Sequence, residues 1–280
     1  MSVPSTITII GTGLLGASLG KGLLSRGVVR KVVGVGRSRA NLETALACGC
    51  ITEIEQEPAR AVLESSLVVV CTPVGAIVEK VREVVLGAPS GAIFTDVGST
   101  KASLVRELRG LPNGGIFVGG HPIAGKEATG AAAADADLFE GKLTILTPDE
   151  GVPVGAVATV REMWESLGSR VICMGAEAHD RELARTSHFP HALSSLLSGL
   201  VGPEEHGLCG TGFRSMTRLA GSSVPVWRDI LWDNRDNVLA VLAEYQEQLI
   251  RLQNALSADD AEALEAILLL AKKNRDALGS

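Results

Sequence analysis

The β-branched run Thr6-Ile7-Thr8-Ile9-Ile10 leads directly into Gly11-Thr12-Gly13-Leu14-Leu15-Gly16, and a small-residue apolar helix follows over residues 17–24. Strand, G-x-G-x-x-G and helix in that order form the dinucleotide-binding fingerprint. Gly11 makes the tight turn, Gly13 lets a pyrophosphate come close, and Gly16 lets the helix pack on the strand. The first free N–H groups of the helix supply partial positive charge for the phosphates. A chain that begins this way is expected to continue as a wound α/β sheet with short links.

The following residues agree. Residues 31–36 read as a second strand, and Arg37-Ser38-Arg39 stands at its end. An acidic residue usually holds a ribose 2′-hydroxyl there, whereas guanidiniums suit a 2′-phosphate, so NADP is favoured and NAD is the alternative. Helix 39–48, strand 66–71, helix 74–86 and strand 92–95 follow, with Thr72-Pro73 closing the third strand on the cofactor side. Ser99 and Lys101 fall after strand 92–95, where open α/β sheets bind ligands. Ser99 is expected either to cap a helix over 101–108, to touch substrate, or both. Strand 115–118 ends at Gly119-Gly120-His121-Pro122, and Pro122 forces His121 into extended or turn backbone. His121 reads equally as a general base on a loop or as a turn residue bonded to its own loop. Strand 142–147, helix 154–167 and strand 170–174 complete a doubly wound, mostly parallel sheet.

From Gly175 onward no strand is evident. The division falls into a Rossmann-type domain over 1–174 and a helical domain over 175–280. Residues 176–201 read as one long helix interrupted at Pro190, carrying His179, His188 and His191. On an ideal helix His179 and His188 lie about 180° apart, while His188 and His191 share a face. No carboxylate companion marks these imidazoles as metal ligands, and none is expected. Val238, Val241, Leu242, Tyr245, Leu249 and Leu252 form an apolar stripe on helix 237–255, and residues 261–270 repeat the pattern. With aromatics at only 3%, such helices are expected to complete their core against a second copy of the chain.

The net charge of −6 and the lack of a basic stripe argue against a nucleic-acid partner. No apolar run is long enough to span a bilayer, and no signal segment precedes the first strand, so a cytoplasmic location is expected. The five scattered cysteines read as free thiols.

Taken together, Gly11–Gly16, Asp96-Val97-Gly98-Ser99-Thr100-Lys101, Gly120-His121-Pro122-Ile123-Ala124-Gly125, Ser187-His188-Phe189-Pro190-His191 and Thr217-Arg218 with Trp227-Arg228-Asp229 resemble the prephenate/arogenate dehydrogenase family of tyrosine biosynthesis. The resemblance implies active sites in the cleft between a Rossmann domain and an all-helical dimerisation domain. It implies His121 as the catalytic histidine, assisted by Ser99. It places His188, His191 and Arg218 on the substrate, Arg218 from the partner chain, with Lys101, His179 and Glu127 as further substrate-site residues. Two departures stand out: Ser215 replaces a frequent aspartate near Arg218, and Lys126 stands beside Glu127 and is expected to pair with it. The implied reaction is oxidative decarboxylation of prephenate, favoured over arogenate because His191 suits a keto-acid side chain. The competing readings are another NADP-dependent dehydrogenase with a helical C-terminal domain and a redox sensor without turnover.

Overall fold

Ile7, Ile9 and Ile10 of strand β1 (Thr6–Ile10) are fully or almost fully buried. The side chains alternate between two cores: Ile7 and Ile9 pack with Leu19, Leu23, Val69 and Trp164, while Ile10 packs with Val68, Val70, Ile77 and Phe94. A strand covered on both faces needs apolar residues at every position, which is why the run is continuous rather than alternating. Thr8 is tolerated there because its hydroxyl donates to the Ala61 carbonyl at 2.6 Å and bonds Ser65 at 2.8 Å. The computed structural model describes residues 3–126 and 128–279.

In chain order α1 (Leu14–Ser25), β2 (Lys31–Val35), α2 (Arg39–Ala47), β3 (Glu53–Ile54), α3 (Pro58–Ala61), β4 (Leu67–Val70), α4 (Val74–Val84), β5 (Ile93–Asp96), α5 (Ala102–Glu107), β6 (Ile116–Pro122), β7 (Leu143–Pro148), α6 (Val154–Glu165) and β8 (Arg170–Cys173) form the first half. The eight strands lie in the order β3-β2-β1-β4-β5-β6-β7-β8. All pairs are parallel except β6 with β7. β3 escaped the sequence reading because two partly exposed residues carry no period.

β6 also differs from expectation. It runs on to Pro122, and His121 sits opposite Ile145 of β7 within the ladder rather than on a loop. An extended residue before proline is compatible with either state, so the sequence left the choice open and the antiparallel partner closed it.

The second half comprises α7 (Ala176–Leu183), α8 (Phe189–Ser198), α9 (Thr211–Thr217), α10 (Val224–Asp233), α11 (Arg235–Ser257) and α12 (Ala261–Ala277), of which α7 packs on β7 and α5, and α10 on α4. The break between α7 and α8 is a π-turn at Ala184–His188, ahead of Pro190. Pro190 itself stands in the first turn of α8, where a missing N–H costs nothing. Val238 and Val241 close a small core with Ala184 and Phe189. Leu249 of the same stripe is 49% exposed, as are Leu268, Leu269 and Leu270 of α12 at 57–62%.

The α1 surface facing β1 is the tightest joint in the sheet. A Cβ on Gly16 would lie 2.1 Å from the Gly11 carbonyl oxygen, and one on Gly20 would lie 2.0 Å from that of Cys50. Gly11 itself has φ +101° and its carbon would meet the Cys71 carbonyl. Gly20→Ala therefore should force α1 outward and destabilise the protein by about 1–3 kcal/mol despite alanine's better helix propensity. Urea unfolding measures this, and an unchanged or raised midpoint would refute the backbone contact.

Candidate active site

The carboxyl ends of β1, β4 and β5 open onto a cavity of about 230 Å³. Gly13, Leu14 and Leu15 form one wall, Cys71, Thr72 and Pro73 a second, and Ser99 a third; Val226 and Ile230 of α10 close it from the helical half. α1 starts at Gly13 with no side-chain cap and no acidic residue in its first turn, so its leading N–H groups are available to an anion. A Cβ on Gly13 would meet nothing, leaving open room for a ligand backbone. Thr72 Oγ1 is buried beside this space with no hydrogen-bond partner among the described residues. These features fit a dinucleotide. Thr12 turns inward instead: its carbonyl and hydroxyl accept from Asn41 Nδ2 at 2.9 and 3.1 Å, fastening the glycine loop to α2. Ser38 accepts from the Asn41 N–H and caps α2, while Arg39 pairs with Glu43 at 2.8 Å. Arg37 is the remaining exposed guanidinium of the trio.

Lys101 is not where a substrate contact would be. It is fully buried, and its ammonium pairs with buried Asp96. Asp96 also accepts from the N–H groups of Gly98 at 2.7 Å and Gly120 at 3.0 Å, so one carboxylate joins β5 to β6 and to the turn between them. Nor does Ser99 cap α5. That role falls to Asp180 of α7, which accepts from the N–H groups of Lys101 at 2.8 Å and Ala102 at 2.9 Å.

Asp180 does a second thing with the same oxygen. Its Oδ1 accepts from His179 Nδ1 at 2.8 Å, and His179 Nε2 lies 2.8 Å from His121 Nδ1. A carboxylate capping two N–H groups is an acceptor only, so His179 carries its proton on Nδ1 and offers a lone pair at Nε2. His121 must then donate from Nδ1, which leaves its Nε2 with a lone pair. The Asp180–His179–His121 chain thus holds His121 in the base-ready tautomer. Burial, then the neighbouring His179, Lys101 and His188, push the His121 pKa well down, so the ring is neutral at physiological pH.

The π-turn brings His188 into this group. It inserts one extra residue per turn, which changes the angle from His179 from about 180° to roughly 80°. His188 is fully buried, its Nδ1 lies 2.9 Å from Asn234 Nδ2, and its Nε2 has no hydrogen-bond partner among the described residues. His191 stacks on Trp227, lies 3.2 Å from Ser222 Oγ, and has Arg218 close enough to disfavour its protonation. Burial lowers His188 and His191 to about 4. Lys126 pairs with Asp135 at 2.5 Å. Glu127 lies outside the described residues. Among the described residues no cluster of three or more His, Cys, Asp or Glu could hold a metal, and no helix is long and apolar enough to cross a membrane.

Asp180, Asn234, Asn41, Val226 and Ile230 were not named as site residues in the sequence reading. Asp180 carried a faint signal in its place beside His179. The others carried none, because their partners come from distant segments.

The depressed imidazoles have a consequence for stability. A group whose folded pKa is lowered stabilises fully above its unfolded value, about 6.5, and less as pH falls toward the folded value. Stability should therefore drop between roughly pH 6.5 and 5, where exposed carboxylates remain ionised. A urea midpoint that stays flat through that window would contradict neutral, buried His121 and His188.

The family model described as prephenate dehydrogenase, nucleotide-binding domain, matches residues 19–173, and that described as prephenate dehydrogenase, dimerization domain, matches residues 175–270. A cyclohexadienyl dehydrogenase of Zymomonas mobilis is 33% identical, covering 94% of this chain and 92% of the relative. Among solved structures, prephenate dehydrogenase of Aquifex aeolicus in complex with hydroxyphenyl propionate and NAD+ aligns with a TM-score of 0.90 at 30% identity. That alignment covers 99% of this chain and 98% of the other. Arogenate dehydrogenase of Synechocystis aligns with a TM-score of 0.82 at 27% identity, covering 98% and 99%. With both halves matched in order and the whole length superposing, the chain belongs to the prephenate dehydrogenase family.

Proposed function

We propose that this oxidoreductase converts prephenate to 4-hydroxyphenylpyruvate and carbon dioxide. The observation carrying the reading is the Asp180–His179–His121 chain, which prepares a neutral base at the end of β6, one strand from the cofactor cavity. A nicotinamide cofactor held at Gly13–Leu15 and Thr72–Pro73 would supply the hydride acceptor. His121 Nε2 accepts the proton of the ring hydroxyl as hydride leaves the carbon that bears it. The ketone that forms draws in the electron pair of the departing ring carboxylate. As carbon dioxide leaves, the ring becomes aromatic and its oxygen regains a proton.

Ser99 is assigned beside the reacting centre, since it lines the cofactor cavity. His188, His191 and Arg218 are assigned to substrate, with His191 and Arg218 suited to an anionic side chain. Glu127 keeps its expected substrate-site role. His179 is assigned to His121 rather than to substrate, and Lys101 to Asp96. Arogenate dehydrogenation is the second reading, supported by the likeness to the Synechocystis enzyme. NADP is preferred through Arg37, because Arg39 and Ser38 already have partners and no carboxylate follows β2 at residues 36–39. We place the domain division at 174/175 and the working form as a cytoplasmic homodimer, supported by the dimerization-domain match and the exposed leucines of α11 and α12.

Turnover of prephenate and arogenate with each of NAD and NADP tests the assignment. Prephenate with NADP should be the fastest pair, and Arg37→Ala should weaken NADP by about 1.5–3 kcal/mol while sparing NAD. Negligible prephenate turnover beside robust arogenate turnover would select the second reading.

His121→Asn should lower kcat by about 10²–10⁴-fold with KM changed far less. In the wild type the acid limb of kcat/KM should lie below the ordinary histidine range near pH 6.5, because burial depresses this group. Near wild-type kcat in the variant, with an unchanged pH profile, would remove His121 from the chemistry.

A further inference from the structure

Asn234 is 3% exposed and stands at the junction of α10 and α11. Its amide bonds three ways. Nδ2 donates to the Asp180 carbonyl at 2.7 Å and lies 2.9 Å from His188 Nδ1, while Oδ1 accepts from Asn237 Nδ2 at 2.8 Å. A backbone carbonyl only accepts, so the NH₂ end of Asn234 must face Asp180 and cannot be the oxygen. One of its two hydrogens serves Asp180 and the other points at His188. His188 Nδ1 must then be an acceptor, and the neutral ring carries its proton on Nε2.

That Nε2 is buried and has no hydrogen-bond partner among the described residues. The Ser99 carbonyl is close enough to favour a proton on the ring without bonding geometry, while burial and His179 oppose a second one. Trp227 meets the ring edge-on at 6.2 Å and His191 stacks on that same indole. A buried N–H left without an acceptor is costly unless something binds it. Ring, carbonyl and indole therefore surround a donor that awaits an oxygen.

We propose that Asn234 is a positioning residue that locks His188 as a hydrogen-bond donor to a substrate oxygen, the opposite tautomer from the acceptor His121. Asp180 underlies both settings, its carboxylate fixing His179 and His121 and its backbone carbonyl orienting Asn234. The cleft then offers one lone pair and one N–H. That is the complement of an alcohol oxygen, and the N–H remains useful once the oxygen has become a ketone and can only accept. The inference rests on the dehydrogenase reading of the same cleft for the identity of the oxygen, but not for the tautomer.

Nitrogen-15 NMR of ring-labelled histidines in the full-length protein, with and without NADP, reads the tautomer directly, His188→Gln identifying the resonance. The wild type should show protonated Nε2 and bare Nδ1 at His188 across roughly pH 6–8. Asn234→Asp puts an acceptor against Nδ1 and should move the proton there, with kcat/KM falling at least about tenfold and NADP affinity within about twofold of wild type. Should that variant not fold, Asn237→Ala, which releases the amide's anchor, should give a mixture of the two tautomers. A wild-type ring protonated on Nδ1 would overturn the proposal, as would Asn234→Asp or Asn237→Ala leaving the His188 signature unaltered. If the tautomers behave as expected but neither prephenate nor arogenate is turned over, the donor assignment stands and the activity reading falls.

Discussion

One carboxylate at the junction of the two halves sets much of this molecule's geometry. Asp180 caps α5 on the Rossmann side, accepts a hydrogen bond from His179 Nδ1 on its own side, and through its backbone carbonyl orients Asn234. Its donors come from the turn after β5, from its own helix and from the start of α11. A shift of α7 against the sheet would break them together. Hydrogen bonds to a charged acceptor are the stronger kind, and here they replace the water that a buried carboxylate loses.

Asp96 repeats the principle one layer away. The pair with Lys101 is completely buried, and such pairs gain little net stability because desolvation offsets their attraction. The N–H groups of Gly98 and Gly120 also bond Asp96, giving it a geometry as well as a charge partner. The lysine ammonium in turn is part of the surroundings that keep His121 neutral. A structural ion pair therefore acts on the candidate base without touching it. The same crowding explains the glycines: Gly120 sits over the Asp96 carbonyl and Gly119 against Thr147, where a side chain would open the β5–β6–β7 joint.

The helical half is organised differently. Its inner face is polar, with imidazoles, an amide and an indole in contact, whereas the outer faces of α11 and α12 leave leucines uncovered. Widening one turn of backbone rotates His188 onto the side of His179 and so gathers three imidazoles from two domains. Pro190 adds a stiff start to α8 immediately after it.

The sequence by itself determined the dinucleotide-binding start, the wound sheet and the helical second half. Those are local facts: a β-branched run before Gly11, the glycines at 13 and 16, and a change of period after Gly175 are written in neighbouring residues. It also set His121 and Ser99 at strand ends, while the roles of His188, His191 and Arg218 came only from the family resemblance. What only the tertiary structure decided is which of these side chains reach one another. The spacing of His179 and His188 pointed to opposite faces until a π-turn rotated one of them, and Lys101 looked available until Asp96 paired with it. Asp180 and Asn234 were invisible because a hydrogen bond between residues 78 or 46 positions apart leaves no periodic trace in a single chain; it exists only once the sheet edge and the helices are packed.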